Sequence, residues 1–270
     1  MSRSVTVVLP TQGRSSLARS IQSILDQSFS PAEVLVVDDS AKQNVDFQNP
    51  GLITVLRTGG SKGPSFARNL GLGAAKSDWV VFLDDDDYWL PNHIQSLLVF
   101  CENNNLDAAY SSARISGKIR PKKIYDGKVS PLTAVYENVG WRKTQYYFPT
   151  PGLIISREIV AHLPFNESMF EREDLWFAHK MFEYQFLLKQ SPEVSVVVNQ
   201  NSIRSINRTS LESDLKWAER LELVDPAARD NFLMGIAFRN AAIRLDWRGM
   251  RFISKKFRSR HWIYRLIAGF

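Results

Sequence analysis

Cysteine is nearly missing from this 270-residue sequence: Cys101 stands alone, so no disulfide can form within the chain. Four histidines, His93, His162, His179 and His261, show neither HxH nor HExxH spacing, which argues against a structural zinc site. Long hydrophobic runs are absent too. A stretch such as Trp79 to Leu83 falls far short of the roughly 20 residues a helix needs to cross a bilayer, and no charged-then-apolar leader precedes Val5. Membrane-spanning and secreted readings fall away, and the cytoplasm is the expected compartment. Glycine-rich phosphate loops are also wanting. Gly71 to Lys76 (GLGAAK) has only part of GxGxxG, follows a helical pattern instead of a strand, and lacks the glycine spacing of a Walker A loop.

What is present is an ordinary globular balance, 44% apolar and 23% charged, which allows one large domain or two small ones. The formal charge of +6 is unevenly placed. Ala241 to Phe270 carries eight Lys/Arg against Asp246, so the first 240 residues are close to neutral. Trp247, Phe252, Trp262 and Phe270 are interleaved with those cations, a mixture that suits a segment lying on an anionic membrane surface. The plainer alternative is a terminal helix with a solvated basic face. Nucleic acid is not an expected partner, because the body offers no basic groove to extend the patch.

Val5 to Thr11 (VTVVLPT), Val34 to Asp39 (VLVVDD) and Trp79 to Leu83 read as strands buried on both faces, with a weaker one at Leu52 to Leu56. Ser15 or Ser16 can cap a helix carrying Leu17, Ile21, Ile24 and Leu25, and a second helical stretch runs from Ser65 to about Lys76. Strands alternating with helices indicate βαβ units and a mainly parallel sheet, whose ligands bind beyond the carboxyl ends of the strands. Thr11, Asp38, Asp39 and the run Asp84 to Asp87 all follow strands, so several carboxylates converge on one rim. Such a cluster calls for compensation, and a divalent metal is the simplest. The alternative is that the four aspartates solvate a loop and cap the helix beginning near Pro91.

LPTQGR, VLVVDDS, GPSFARNLGLGAAKSDWVVFLDDDDYW and EREDLW, in this order from Val5 to about Ser210, resemble the inverting family 2 glycosyltransferases. The resemblance implies the α/β GT-A fold: a Rossmann-like, mainly parallel sheet flanked by helices, here with a C-terminal helical extension. It implies a nucleotide-sugar donor, a UDP-sugar first among them, with Mn2+ or Mg2+. Thr11 and Asp38 or Asp39 match nucleoside-contacting positions, and Arg68 matches the cation that reaches the nucleotide. By the same resemblance Asp84 would face the donor ribose, Asp86 with Asp84 would bind the metal, and Asp85 stays a donor-side candidate because four aspartates blur the register. Glu173 and Asp174 match the ED pair that supplies the catalytic base, Asp174 being preferred. Asn207 stands where many relatives have a histidine available to metal or diphosphate. Asparagine can donate or ligate but carries no charge, which shifts weight to the metal and to Arg204 or Arg208.

The implied reaction is inverting sugar transfer to a glycan or lipid-linked acceptor hydroxyl, in bacterial surface polysaccharide assembly, by a protein held peripherally at the inner membrane face. On this reading residues 1–110 form the nucleotide-sugar half of the domain, 111–210 the acceptor half, and 211–270 a basic amphipathic extension. Pro149 to Ser156 resembles the segment under the acceptor pocket, while Lys118 to Lys143 is expected to be a polar loop. Two competitors remain. A sugar-phosphate nucleotidyltransferase normally shows a basic Gly-rich loop after its first strand, where this chain has TQGRSS. A non-catalytic membrane or nucleic-acid adaptor would bind no nucleotide sugar.

Overall fold

The computed structural model describes residues 3–43, 45–47, 51–137, 144–199, 210–244 and 246–256. The chain divides into two compact units, one of Met1–Lys128 with Phe148–Asn199, the other of Val129–Tyr147 with Gln200–Phe270. Residues 129–147 thus group with the C-terminal helices.

The first unit is built on β1 (Val5–Thr11), an apolar, β-branched segment buried along its whole length. Parallel partners lie on both sides: β2 (Glu33–Asp38), itself paired with β3 (Ile53–Arg57), and β4 (Trp79–Phe82). Beyond β4 the sheet turns mixed. Its order is β3-β2-β1-β4-β8-β6-β9-β5, with β7 (Lys118–Arg120) beside β6 (Ala108–Ile115). There β8 (Leu153–Ser156) runs antiparallel to both β4 and β6, β9 (Leu188–Val198) is parallel to β6, and β5 (Tyr88–Trp89) is antiparallel to β9. The parallel character expected from the sequence holds throughout the first four strands, the part made of βα repeats, and returns only where β6 meets β9. The boundary drawn at residue 110 runs through β6.

Helix α1 (Leu17–Leu25) buries Leu17, Ile21 and Ile24 as its spacing implies, whereas Leu25, expected on the same stripe, is exposed, and Ser16 at the start makes no side-chain cap bond. Helix α2 (Pro64–Ala74) follows Gly63, whose φ of 95° is open to glycine without strain. A third helix, α3 (His93–Asn104), lies against β6 and β9. The segment expected to be loop, 118–143, is partly structured. Ser116 and Gly117 turn at positive φ to pair β7 with β6, and Ser130 caps α4 (Pro131–Tyr136) by accepting from the Thr133 N–H at 3.3 Å. The turn chemistry was present in the sequence, but a three-residue strand is too short to show periodicity.

After a 3-10 turn at Thr150–Gly152 and β8, α5 (Arg157–His162) and α6 (Glu173–Glu183) complete the first unit. In the second unit α7 (Leu211–Val224) and α8 (Pro226–Phe232) break at Asp225-Pro226, as the proline implies. A π turn at Leu233–Ala237, α9 (Phe238–Ile243) and α10 (Trp247–Lys256) follow. Its core joins Tyr136 to Phe232 edge to face at 5.4 Å, and Trp217 Nε1 donates to Tyr136 Oη at 3.0 Å.

Candidate active site

The register brings the strand ends together. Thr11 pairs with Asp38, and Val8 pairs with Phe82, so the residues after Phe82 come level with the end of β1. Here the four aspartates separate. Asp85 turns inward and is buried, accepting from Thr11 Oγ1 at 2.7 Å, from the Gln12 N–H at 2.9 Å and from the Arg14 guanidinium. Asp87 is also buried and accepts from the Asn199 N–H at 2.8 Å. Burial first, and then the charge of Asp84, push its pKa up to about 8. Asp84 accepts from Arg68 Nη2 at 2.9 Å. Asp86 reaches solvent, its side chain 45% exposed, with Arg14 Nη1 3.6 Å away. Partial burial, together with Asp84 and Asp85, raises its pKa against the pull of Arg14.

Arg68 is the hub. Its guanidinium, 4% exposed, donates from Nη2 to Asp84 and from Nη1 to Glu173 Oε1 at 3.1 Å. Burial works against its charge, but the two carboxylates more than offset that and hold its pKa above the ordinary value. The rest of the ARNLG run has equally concrete tasks. Asn69 clamps the backbone of Phe165, donating to its carbonyl at 2.9 Å and accepting from its N–H at 2.8 Å. At Gly71 any Cβ would run into Val8 of β1, so only glycine lets α2 lie this close to the sheet.

Glu173 and Asp174 open α6, which the chain enters through Arg172 in the left-handed region at φ 60°. Such a conformation costs a non-glycine residue about 1 kcal/mol or more and is often found at functional sites. Asp174 Oδ1 accepts from the Leu175 N–H at 2.7 Å. Protein surrounds this carboxyl closely, although solvent still reaches it. Burial, then the adjacent Glu173, push its pKa up to about 7, within the range of a general base at neutral pH.

On the other flank Asp38 and Asp39 are occupied by protein donors. Asp38 holds the N–H groups of Ser40 and Val45 at 2.9 and 3.0 Å. Asp39 accepts from Thr58 Oγ1, the Lys62 N–H, Gln12 Nε2 and the Gly63 N–H, all within 2.9 Å. Both carboxylates fix the loops around the rim and leave no oxygen without a donor. Gln12 and Arg14 escaped the sequence reading although they lie in the quoted LPTQGR; they join Asp39 and Asp85 to the end of β1. Asn207, Arg204 and Arg208 lie outside the described residues.

The family model described as Glycosyl transferase family 2 matches residues 6–163, more than half of the chain. The chain belongs to glycosyl transferase family 2. Its relatives include the Escherichia coli UDP-Glc:alpha-D-GlcNAc-diphosphoundecaprenol beta-1,3-glucosyltransferase WfgD, 28% identical over 140 residues, which are 50% of this chain and 54% of WfgD. The succinoglycan biosynthesis protein ExoW of Rhizobium meliloti is 36% identical over 124 residues, 42% of this chain and 38% of ExoW. The Staphylococcus aureus poly(ribitol-phosphate) beta-N-acetylglucosaminyltransferase TarP is 30% identical over 135 residues, 46% of this chain and 41% of TarP. The match spans between about a sixth and about a half of the length of these and other curated relatives. Among solved structures, S. aureus TarS 1-349 in complex with UDP-GlcNAc aligns with a TM-score of 0.60 at 19% identity, over 86% of this chain and 70% of that one. That likeness shows the GT-A-type fold. As a family 2 member this chain has ARNLG, the aspartate run and the ED pair inside one sheet-based unit.

Proposed function

We propose that this protein transfers a sugar from a nucleoside diphosphate sugar to an acceptor hydroxyl in a single inverting displacement. The observation that carries the reading is Arg68, which joins Asp84 after β4 to Glu173 at the start of α6 and so sets a donor-side acid beside a base with a pKa near 7. Asp174 takes the proton from the acceptor hydroxyl as that oxygen attacks the anomeric carbon from the face opposite the nucleotide. Asp38, Asp39, Thr11 and Asp85 hold the loops that wall the nucleoside site. Arg68 holds Asp84 and Glu173 in place.

The donor set suits a shared divalent cation. No group of three or more His, Cys, Asp or Glu side chains is placed to hold a metal among the described residues. A magnesium-type or manganese site completed by diphosphate oxygens needs only one or two carboxylates, however. Asp86, open to solvent, and Asp84, with one oxygen free of Arg68, are hard oxygen donors of that kind. A bound metal there would supply charge stabilisation for the departing diphosphate.

The UDP-GlcNAc complex of TarS and the name of WfgD support a UDP-sugar donor. WfgD, ExoW and TarP by their names point the acceptor toward a lipid-linked glycan or surface polymer. No helix of the described residues is long and apolar enough to cross a membrane. Trp247 and Phe252 on α10 are 72% and 49% exposed on a helix that also carries Arg248 and Arg251, which supports attachment to an anionic leaflet through residues 241–270.

The test is a panel of nucleotide sugars with Mn2+, scored for binding and for slow hydrolysis. Metal-dependent binding with release of nucleoside diphosphate is expected. Pyrophosphate release would mark a nucleotidyltransferase, and absence of donor binding across the panel would leave only an adaptor.

A further inference from the structure

Tyr110 of β6 is fully buried, paired in the sheet with Leu153 of β8 and Gln190 of β9, and its ring meets Phe148 edge-on at 5.3 Å. Its hydroxyl has no hydrogen-bond partner among the described residues. An unpartnered buried hydroxyl costs free energy, and in a native protein it calls for a specific explanation.

The sheet register shows which face of the sheet Tyr110 occupies. Val81 of β4 and Ala109 of β6 both sit opposite Ile154 of β8, and both strands run antiparallel to it. Phe82 and Tyr110, each one residue further along, therefore share one face at one level of the sheet. Phe82 meets Phe165 at 5.5 Å, and Phe165 stacks at 4.0 Å on Phe177 of α6, so α6 covers that face. Asp174 heads the stripe of α6 that continues through Phe177, Ala178 and Met181, all buried. The charges of Asp174 and Arg68 both bear on the Tyr110 hydroxyl. Asp174 has a vacancy of the matching kind: Oδ1 takes the Leu175 N–H, while its other oxygen has no donor among the described residues.

We propose that Tyr110 is the positioning residue of Asp174, its Oη–H reaching the free carboxylate oxygen across one bound water. An O–H to carboxylate bond is short and directional, and it would fix which oxygen faces the acceptor. The inference rests on the reading of Asp174 as the base.

The test uses the full chain and does not need the natural acceptor. The carboxylate stretching band of Asp174 is isolated as the infrared difference between wild type and Asp174→Asn, then recorded again in a Tyr110→Phe background. A shifted band is expected, with no shift in Ser111→Ala, which removes another buried, unpartnered hydroxyl, one lying against Gly152. An unshifted band in Tyr110→Phe, or a rise in its melting temperature of the kind that follows removal of a merely orphaned hydroxyl, would overturn the proposal. Should Tyr110→Phe fail to fold, the 13Cζ signal of Tyr110 compared between wild type and Asp174→Asn reads the same bond from the other side. With UDP-glucose or UDP-GlcNAc, Mn2+ and water as acceptor, Tyr110→Phe is expected to lose about tenfold in kcat at unchanged donor KM. If Asp174→Asn hydrolyses donor normally, the base assignment fails, and the spectra still decide the tyrosine contact.

Discussion

Arg68 Nη1 lies 3.1 Å from Glu173 Oε1, and this one ion pair fastens α2, which follows the third strand, to α6, which begins more than a hundred residues later. Since Nη2 of the same guanidinium grips Asp84, removing the arginine strands two carboxylates at once. Arg68→Ala should cost about 3–5 kcal/mol in denaturant unfolding, the usual result of breaking a buried ion pair from one side. Arg68→Lys should recover only part of that, because a single ammonium cannot span both acids as a planar fork does.

Asp85 and Asp86 are neighbours with opposite fates. Asp85→Ala unseats Thr11 Oγ1, the Gln12 N–H and Arg14, and should destabilise the protein by about 3 kcal/mol. Asp86→Ala, at a half-exposed site, should stay within about 0.5 kcal/mol of wild type while losing Mn2+-dependent donor binding. Calorimetry of unfolding and of UDP-sugar binding separates the two; equal stability losses would contradict the assignment.

Asp174→Asn should lower turnover by about 10² to 10⁴ while UDP affinity changes little, since only the proton acceptor is lost. The wild-type rate should fall as pH drops through about 7, where Asp174 protonates.

The same raised pKa has a consequence for stability. Between the unfolded carboxyl value of about 4 and the folded value of about 7, the native state binds more protons than the unfolded one, so ionising Asp174 weakens the fold as pH rises. Asp174→Asn should therefore be more stable than wild type at pH 8, and the difference should shrink to nothing near pH 4. A constant difference across that window, measured by urea unfolding, would show that the carboxyl is not held in its neutral form.

Two glycines of α2 should respond in opposite directions. Gly71→Ala forces a methyl onto Val8, and about 1–3 kcal/mol of overpacking outweighs the gain in helix propensity. Gly73→Ala meets nothing within 4 Å and should stabilise by about 0.5–1 kcal/mol. Melting temperatures of both variants check the pair.

Where apolar periodicity is strong, the elements could be read directly: β1, β2, β4, α1, α2 and the break before Pro226 lie where spacing and proline put them. The short hairpin at Ser116 and Gly117 and the six-residue α4 carried too little pattern to be seen. Composition and motif order were enough to place acidic residues at the strand ends, because a row of aspartates follows a buried strand and an acidic pair opens a helix. They could not say which aspartate does what. Backbone direction alone sends Asp85 and Asp87 inward to N–H and hydroxyl donors and leaves Asp86 outside, and identical side chains give no hint of that. Nor could spacing bring Arg68 between Asp84 and Glu173, or Phe165 between Phe82 and Phe177. Those meetings depend on strands and helices far apart in the chain being packed side by side, and only packing determines which distant charges share a low-dielectric neighbourhood.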